Sequence, residues 1–202
     1  MEQGSHEWFV ARRGFVGASG IADVMAKGTG ATRKAYMTKL LVERLTGKTV
    51  ETYKSDAMEW GTLTEPLARM AYELETGRTV EQVGFKLHPT IEWAGASPDG
   101  LMPDRGLEIK CPHTATHLET ISTGKIFSGY VYQMQFGMAC TGLQLWDFMS
   151  YDPRLPPNLQ VWIKTVERDN AMIETIETEV KTFLSELDSM VEQFSKRRSI
   201  YG

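Results

Sequence analysis

The sequence predicts an α/β (α+β) fold with a central mixed β-sheet flanked by helices. Three observations carry that expectation. A long segment, 169–197, repeats its apolar residues at helical spacing. A middle group, 79–88, 91–97 and 106–111, has strand-like patterning broken by turn residues. A helical segment, 128–141, is followed by two more strand-like stretches, 144–151 and 159–166. Helices, strands, a helix, strands and a helix in one chain give a mixed layered architecture. With 202 residues, no repeats and no low-complexity linker, the chain reads as one domain over 1–202.

The elements follow in order. Residues 18–26 and 32–46 read as helices separated by Gly28 and Gly30, with Gly47 as a C-cap. Residues 59–76 read as a helical segment with Leu63, Leu67, Met70, Ala71 and Leu74 on one face and Gly77 at its end. Pro66 either sits in the first turn of a new helix or kinks a longer one. Met102-Pro103-Asp104-Arg105-Gly106 has turn chemistry, because proline presets the turn and glycine takes positive φ. Gly142 closes the 128–141 helix. In the last helix, Ile173, Ile176, Val180, Phe183, Leu184, Leu187, Val191 and Phe194 form a stripe about 100° wide. That stripe is most simply core, although it could also cover a subunit contact.

Composition narrows the function classes. A hydrophobic content of 42% and a mean hydropathy of -0.29 are ordinary for a globular protein. No apolar stretch approaches the ~20 residues needed to span a bilayer. The opening MEQGSHEWFV lacks a signal-peptide pattern, and the two cysteines, Cys111 and Cys140, have no framework or metal-ligand spacing. A reducing cytoplasm is the expected location. The net charge of -4 is unevenly spread. Residues 11–50 carry eight basic side chains against two acids, and residues 167–192 carry eight acids against Arg168 and Lys181. The acidic half reads as a solvated helix face; the basic half could attract a polyanion.

The stretch ASPDGLMPDRGLEIKCP concentrates the chemistry. Alternation points Leu107, Ile109 and Cys111 to one face and Glu108 and Lys110 to the other. Asp99 precedes the hairpin turn, so the two limbs can bring it beside Glu108. Carboxylates that close repel unless a cation or proton sits between them. A hard divalent ion such as Mg²⁺ suits oxygen ligands, waters and a substrate phosphate. Lys110 beside it could orient or deprotonate a water, or stabilise developing negative charge. The competing account of a bare Glu-x-Lys is a solvent-facing strand edge.

Asp99, then Glu108-Ile109-Lys110, resembles the PD-(D/E)xK nuclease motif. In order, RRGFVGAS, MEWGTLTEPLARMAYELETG, ASPDGL, LEIKCP, YQMQFGMACTG and WDFMSYDPR resemble blocks of the phage lambda exonuclease (YqaJ-type viral recombinase) family, over about residues 8–166. The resemblance implies a restriction-endonuclease-like core. It implies metal binding by Asp99, Glu108 and the Ile109 carbonyl, a catalytic Lys110, and Glu65 near a second metal and the attacking water. The family's active-site glutamine corresponds to Gln135, with Gln133 just before it on the DNA path. Arg12, Ser19 and Ser97 match positions that hold the 5′-phosphate of a DNA end. The loop AKGTGATRK lacks the family's second phosphate-binding arginine, so Lys27 or Arg33 would have to serve.

These residues also have plain readings. Glu65 lies four residues before Arg69 and suits a helical ion pair. Gln135 falls near Val131, Met134 and Met138, where a buried amide needs partners, either structural or in a site. Ser19 suits an ordinary helix cap, and the same geometry binds phosphate. Arg12 alone is a surface arginine. His88, His113 and His117 read as surface or core residues, Cys111 as a small core residue, and Trp8 and Trp60 as core with a possible stacking role.

Together the residues and the resemblance imply a Mg²⁺-dependent exodeoxyribonuclease with two ions per site, Mn²⁺ being expected to substitute. It would digest one strand of linear duplex DNA from the 5′ end, releasing mononucleotides and leaving a 3′ overhang. The resemblance further implies a ring-shaped homotrimer, a single-strand annealing partner and a phage or prophage origin. The alternatives are an endonuclease on the same core and a non-catalytic DNA-end-binding protein.

Overall fold

A computed structural model describes residues 3–26, 30–50 and 55–198. A short helix, α1 (His6–Arg12), opens it, capped by the Ser5 hydroxyl, which accepts from Trp8 N–H. Strand β1 (Val16–Gly17), a 3₁₀ turn (Ala18–Gly20) and α2 (Ile21–Val24) lead to α3 (Ala31–Thr46) and α4 (Asp56–Thr76). Then come β2 (Lys86–Leu87), β3 (Ala94–Ala96), β4 (Gly100–Leu101), β5 (Arg105–Lys110), α5 (Thr114–Thr123) and α6 (Ser128–Thr141). Strand β6 (Leu145–Tyr151), β7 (Val161–Glu167) and α7 (Asn170–Arg198) complete the chain. No described helix is long and apolar enough to cross a membrane.

The main sheet is mixed, in the order β4-β5-β6-β7: β5 and β6 are parallel and the outer pairs antiparallel. A second sheet, β1-β3-β2, is also mixed. Helices flank both, as expected. The glycines at 47, 77 and 142 are left-handed C-caps at the ends of α3, α4 and α6. The stripe of α7 packs within its own subunit: Ile173, Ile176, Val180, Phe183, Leu184 and Leu187 are buried, most of them against α2 and α3.

Several expectations are corrected. The strand expected over 79–88 shrinks to Lys86–Leu87 plus one bridge, Glu81 to Leu101. The strand expected over 91–97 begins only at Ala94, because Trp93 takes a left-handed φ of 62°. The Thr90 and Ile91 N–H groups turn instead to His88 Nδ1, at 3.2 and 3.1 Å. Helices α1 and α5 were not expected. No residue of α1 is buried, and the one buried residue of α5 is His117, so neither shows an apolar period. His117 is a core histidine, bridging Ser150 Oγ at 2.7 Å and the Leu159 carbonyl at 2.8 Å.

The largest correction concerns α4. It is one helix with Pro66 inside it, and its apolar stripe faces outward: Leu63 is 70% exposed and Leu74 89%. The buried face is Thr64, Ala68 and Tyr72. Small Ala68 lies against the apolar underside of β5, while the Tyr72 hydroxyl donates to buried Asp147 at 2.6 Å. A buried hydroxyl with a carboxylate partner satisfies itself, so a mixed face can serve as the core face.

Trp146 on β6 anchors the contact between the sheet and α6. A Cβ at Gly137 of α6 would stand 2.6 Å from the indole, and one at Gly106 of β5 would clash with the same ring. Gly137→Ala is therefore expected to destabilise by about 1–3 kcal/mol, the usual cost of overpacking. Urea denaturation checks it; an unchanged midpoint would show that the indole can yield.

Candidate active site

The β4–β5 hairpin builds the centre of the site. Its register pairs Gly100 with Leu107 and Leu101 with Gly106, so Asp99 and Glu108 meet at the next step. Asp99 Oδ2 accepts from Ile109 N–H at 2.7 Å, which fixes the carboxylate against the strand. Strand β5 is central, lying between β4 and β6, and Glu108 is only 2% exposed. The account of Glu108 and Lys110 as an exposed strand edge is therefore excluded. Lys110 Nζ lies 2.5 Å from Glu108 Oε1 and 4.8 Å from the ring centre of Tyr130 on α6.

Glu65 reaches the same cavity from α4, on the side of the helix away from its apolar stripe. It pairs with Arg69 at 2.6 Å, and it also lines a cavity of about 500 Å³ with Asp99, Glu108, Lys110, Tyr130 and Gln133. Arg69 donates a second bond to the Asp99 carbonyl at 3.3 Å and so ties helix to hairpin.

The electrostatics are strained in one direction. Desolvation raises the pKa of Glu65 and Asp99, and their mutual repulsion adds to the rise of Glu65. Burial, with help from Asp99 and Glu65, pushes Glu108 up to about 8, although Lys110 pulls the other way. The Lys110 ammonium is held above its usual range: burial opposes the charge, but Glu108 and Asp99 outweigh it. Burial pushes the Cys111 thiol up to about 12, which removes it as a nucleophile near neutrality.

The donor set fits a hard cation. Glu108 Oε1 is buried and takes no well-angled hydrogen bond, despite its nearness to Lys110. Among the described residues, no three His, Cys, Asp or Glu side chains close around one point as a ready cage. Mg²⁺ does not need one, since it usually takes one or two carboxylates, waters and a substrate phosphate. Asp99 and Glu108 supply two carboxylates in a place short of positive charge.

Two expected residues lie elsewhere. Gln135 is buried with both ends of its amide engaged: Nε2 donates to the Glu167 carbonyl at 2.8 Å, and Oε1 accepts from Asp169 N–H at 2.9 Å. It joins α6 to the β7–α7 corner and does not line the cavity; Gln133, on another side of the helix, does. Gln135→Ala is expected to cost about 1–3 kcal/mol by leaving buried backbone groups unpaired. Gln133→Ala should lower activity with the melting temperature kept. Melting curves beside cleavage rates separate the two, and the reverse pattern would restore Gln135 to the site.

Arg33 is the second. Its guanidinium makes a paired contact with Glu186 of α7, at 2.8 and 2.9 Å, and lies over the Phe183 ring. It is an α3–α7 clamp and does not line the cavity that holds Arg12. Lys27, the other candidate, lies outside the described residues.

Arg12 and Ser19 do come together. Arg12 Nη2 and Ser19 Oγ lie 3.4 and 4.0 Å from the point where a Gly17 Cβ would stand. Ser19 belongs to the 3₁₀ turn and makes no cap bond. Arg12 stacks on Trp8 at 3.9 Å, and the Trp8 indole N–H donates to Ser97 Oγ at 3.1 Å. Ser97 is two residues before Asp99, so this chain of contacts runs to the carboxylates. The sequence offered Arg69 only as the helical partner of Glu65 and gave no place to Tyr130, which lines the carboxylate cavity, or to Tyr36 and Lys39, which line the cavity of Arg12 and Ser19. Only Arg69 left a signal, its spacing from Glu65.

An acid and a lysine on the central strand of a mixed sheet, a second acid at the start of the hairpin limb paired with it, and a helical Glu beside them define a PD-(D/E)xK-like nuclease core. Residues 7–144 match the YqaJ-like viral recombinase domain. The chain belongs to that family. Among solved structures it is similar to LHK-Exo, an alkaline exonuclease from Laribacter hongkongensis, at 48% identity over 98% of this chain and 100% of that one, with a TM-score of 0.92. LHK-Exo in complex with dAMP matches over the same shares with a TM-score of 0.93. A phage-related exonuclease from Haemophilus somnus 129PT shares the fold at 15% identity, covering 89% of this chain and 96% of its own, with a TM-score of 0.69. No curated protein matches.

Proposed function

We propose that this protein is a Mg²⁺-dependent exodeoxyribonuclease that digests one strand of linear duplex DNA from the 5′ end. It releases mononucleotides and leaves a 3′ single-stranded overhang. The observation that carries this reading is the buried Asp99–Glu108–Lys110 group, set in a cavity that a chain of contacts links to Arg12 and Ser19. The 48% identity to an alkaline exonuclease, solved with the mononucleotide dAMP, supports it.

Asp99, Glu108 and the Ile109 carbonyl would hold one ion, and Glu65 a second once Arg69 releases it. Two bound Mg²⁺ ions would supply charge that neutralises the scissile phosphate and acidifies the attacking water. Lys110, held by Glu108 and the Tyr130 ring, orients that water and offsets charge as it builds on the phosphate. Gln133 takes the part expected of Gln135, as an amide that orients the water or the phosphate. Mn²⁺ substitutes for Mg²⁺ in this scheme, since it favours the same oxygen ligands.

A homotrimer enclosing the duplex belongs to this reading. The outward Leu63, Leu67, Met70 and Leu74 of α4 are apolar surface of the kind subunit contacts cover. Light scattering should give a trimer; a monomer at working concentration removes it. The overhang would pass to a single-strand annealing protein in a phage-infected or lysogenic host cytoplasm.

The test is digestion of a linear duplex phosphorylated at one 5′ end, with Mg²⁺ or EDTA, beside a covalently closed circle. Loss of the strand from the phosphorylated end, with the circle intact, is expected. A cut circle would mean an endonuclease. Binding without Mg²⁺-dependent loss would leave only a DNA-end-binding protein.

A further inference from the structure

Arg12 and Ser19 share their cavity, of about 520 Å³, with a residue that neither the sequence pattern nor the comparisons single out: Lys39 of α3. Lys39 is half-buried and makes no hydrogen bond or ion pair among the described residues. Asp23 faces it across the cavity and attracts it, but no ion pair forms. The other acid lining the cavity, Glu43, is already committed, accepting from Gly14 N–H at 2.9 Å and Val50 N–H at 3.2 Å. Arg12 likewise has no ion-pair partner there; its guanidinium rests on Trp8. Burial works against the Arg12 guanidinium, and an anion held between it and Lys39 would offset that cost.

The cavity also presents hydroxyls. Ser19 is exposed and bears no cap bond. Tyr36, one turn before Lys39 on α3, accepts from Gly17 N–H at 3.1 Å, which holds the Ser19 turn against the helix. Gly20 lets the turn pack directly on Tyr36, since a Cβ there would collide with the phenol, and a Cβ at Gly17 would stand 3.4 Å from Arg12 Nη2. Two cations and a hydroxyl around an opening suit a terminal phosphate, which accepts several charge-assisted bonds. Arg33, turned to Glu186, is not available to it.

We propose that Lys39, with Arg12 and Ser19, binds the terminal phosphate of the DNA end and supplies the cation that Lys27 or Arg33 was expected to supply. This rests on the exonuclease reading. Lys39 is a specificity-determining residue here, acting on which ends are digested.

The experiment compares initial digestion rates of two linear duplexes that differ only in a 5′-phosphate or 5′-hydroxyl, using the full-length protein. The wild-type protein is expected to favour the phosphate. Lys39→Met should lower that preference ratio by about tenfold, the value of one charge-assisted hydrogen bond. Lys39→Arg should keep most of it, and Arg33→Ala should leave it as in the wild type. An unchanged ratio in Lys39→Met, or an equal fall on both duplexes, overturns the assignment. Lys39→Gln, read the same way, decides the matter should the Met variant melt early. A wild-type protein that digests both ends equally overturns the phosphate pocket itself; digestion that needs no free end at all overturns the exonuclease reading instead.

Discussion

Lys110→Ala is expected to lower strand cleavage by about 10³-fold, the usual range for removing a general acid–base or charge-stabilising group. Duplex binding should persist, because Arg12, Ser19 and Lys39 lie in the other cavity. The ammonium sits against Glu108 and over Tyr130, so its position is set by the strand and by α6 together. Lys110→Arg should not rescue the rate. A planar guanidinium in place of a compact ammonium shifts the donor and crowds the Tyr130 ring. Gel-shift binding in EDTA beside cleavage in Mg²⁺ is the measurement. Cleavage within tenfold of wild type would take Lys110 out of the chemistry.

Glu108→Gln should abolish cleavage by a similar factor and, in the metal-free protein, raise the melting temperature. Glu108 is buried beside Asp99 and Glu65, and its folded pKa is raised to about 8. The sign follows from linkage. Between the ordinary carboxylate range and about 8, the folded state keeps a proton that the unfolded chain releases. Stability of the metal-free protein therefore falls as pH rises through that window. The neutral Gln variant should lose this contribution and fall less steeply, the raised Asp99 and Glu65 supplying the slope that remains. Mg²⁺ should stabilise the wild type most at the alkaline end, since the ion competes with the proton. An active site whose repulsion Lys110 offsets in part and a bound ion would relieve further is a common stability–function trade-off. Melting curves from pH 5 to 9 with and without Mg²⁺ provide the check. A Gln variant that melts with the wild type at every pH would show that Glu108 carries no such strain.

The local parts of this site were legible because they depend on short-range rules. Strand alternation put Glu108 and Lys110 on one face, and the turn at 102–106 brought Asp99 back beside them. Helix ends at Gly47, Gly77 and Gly142 followed from the left-handed conformation that glycine adopts cheaply. The α7 stripe was legible because one apolar face over eight turns has a single way to be buried.

What the sequence determined by itself was thus the longer helices with their glycine ends, the apolar period of α7 and the acid–lysine strand. Tertiary structure decided which face of each element meets which neighbour. An apolar stripe on α4 was not its core face, since a tyrosine paired with a buried Asp147 could be buried instead. Gln135 and Gln133 are two residues apart on one helix, about 160° around it, and only the position of the β7–α7 corner assigned one to structure and the other to the cavity. Arg33 and Lys39 are both cations on α3, and the acid on α7 took the first and left the second to the Arg12 cavity. Such choices turn on partners 32 to 153 residues away in sequence, and no local period or propensity encodes them.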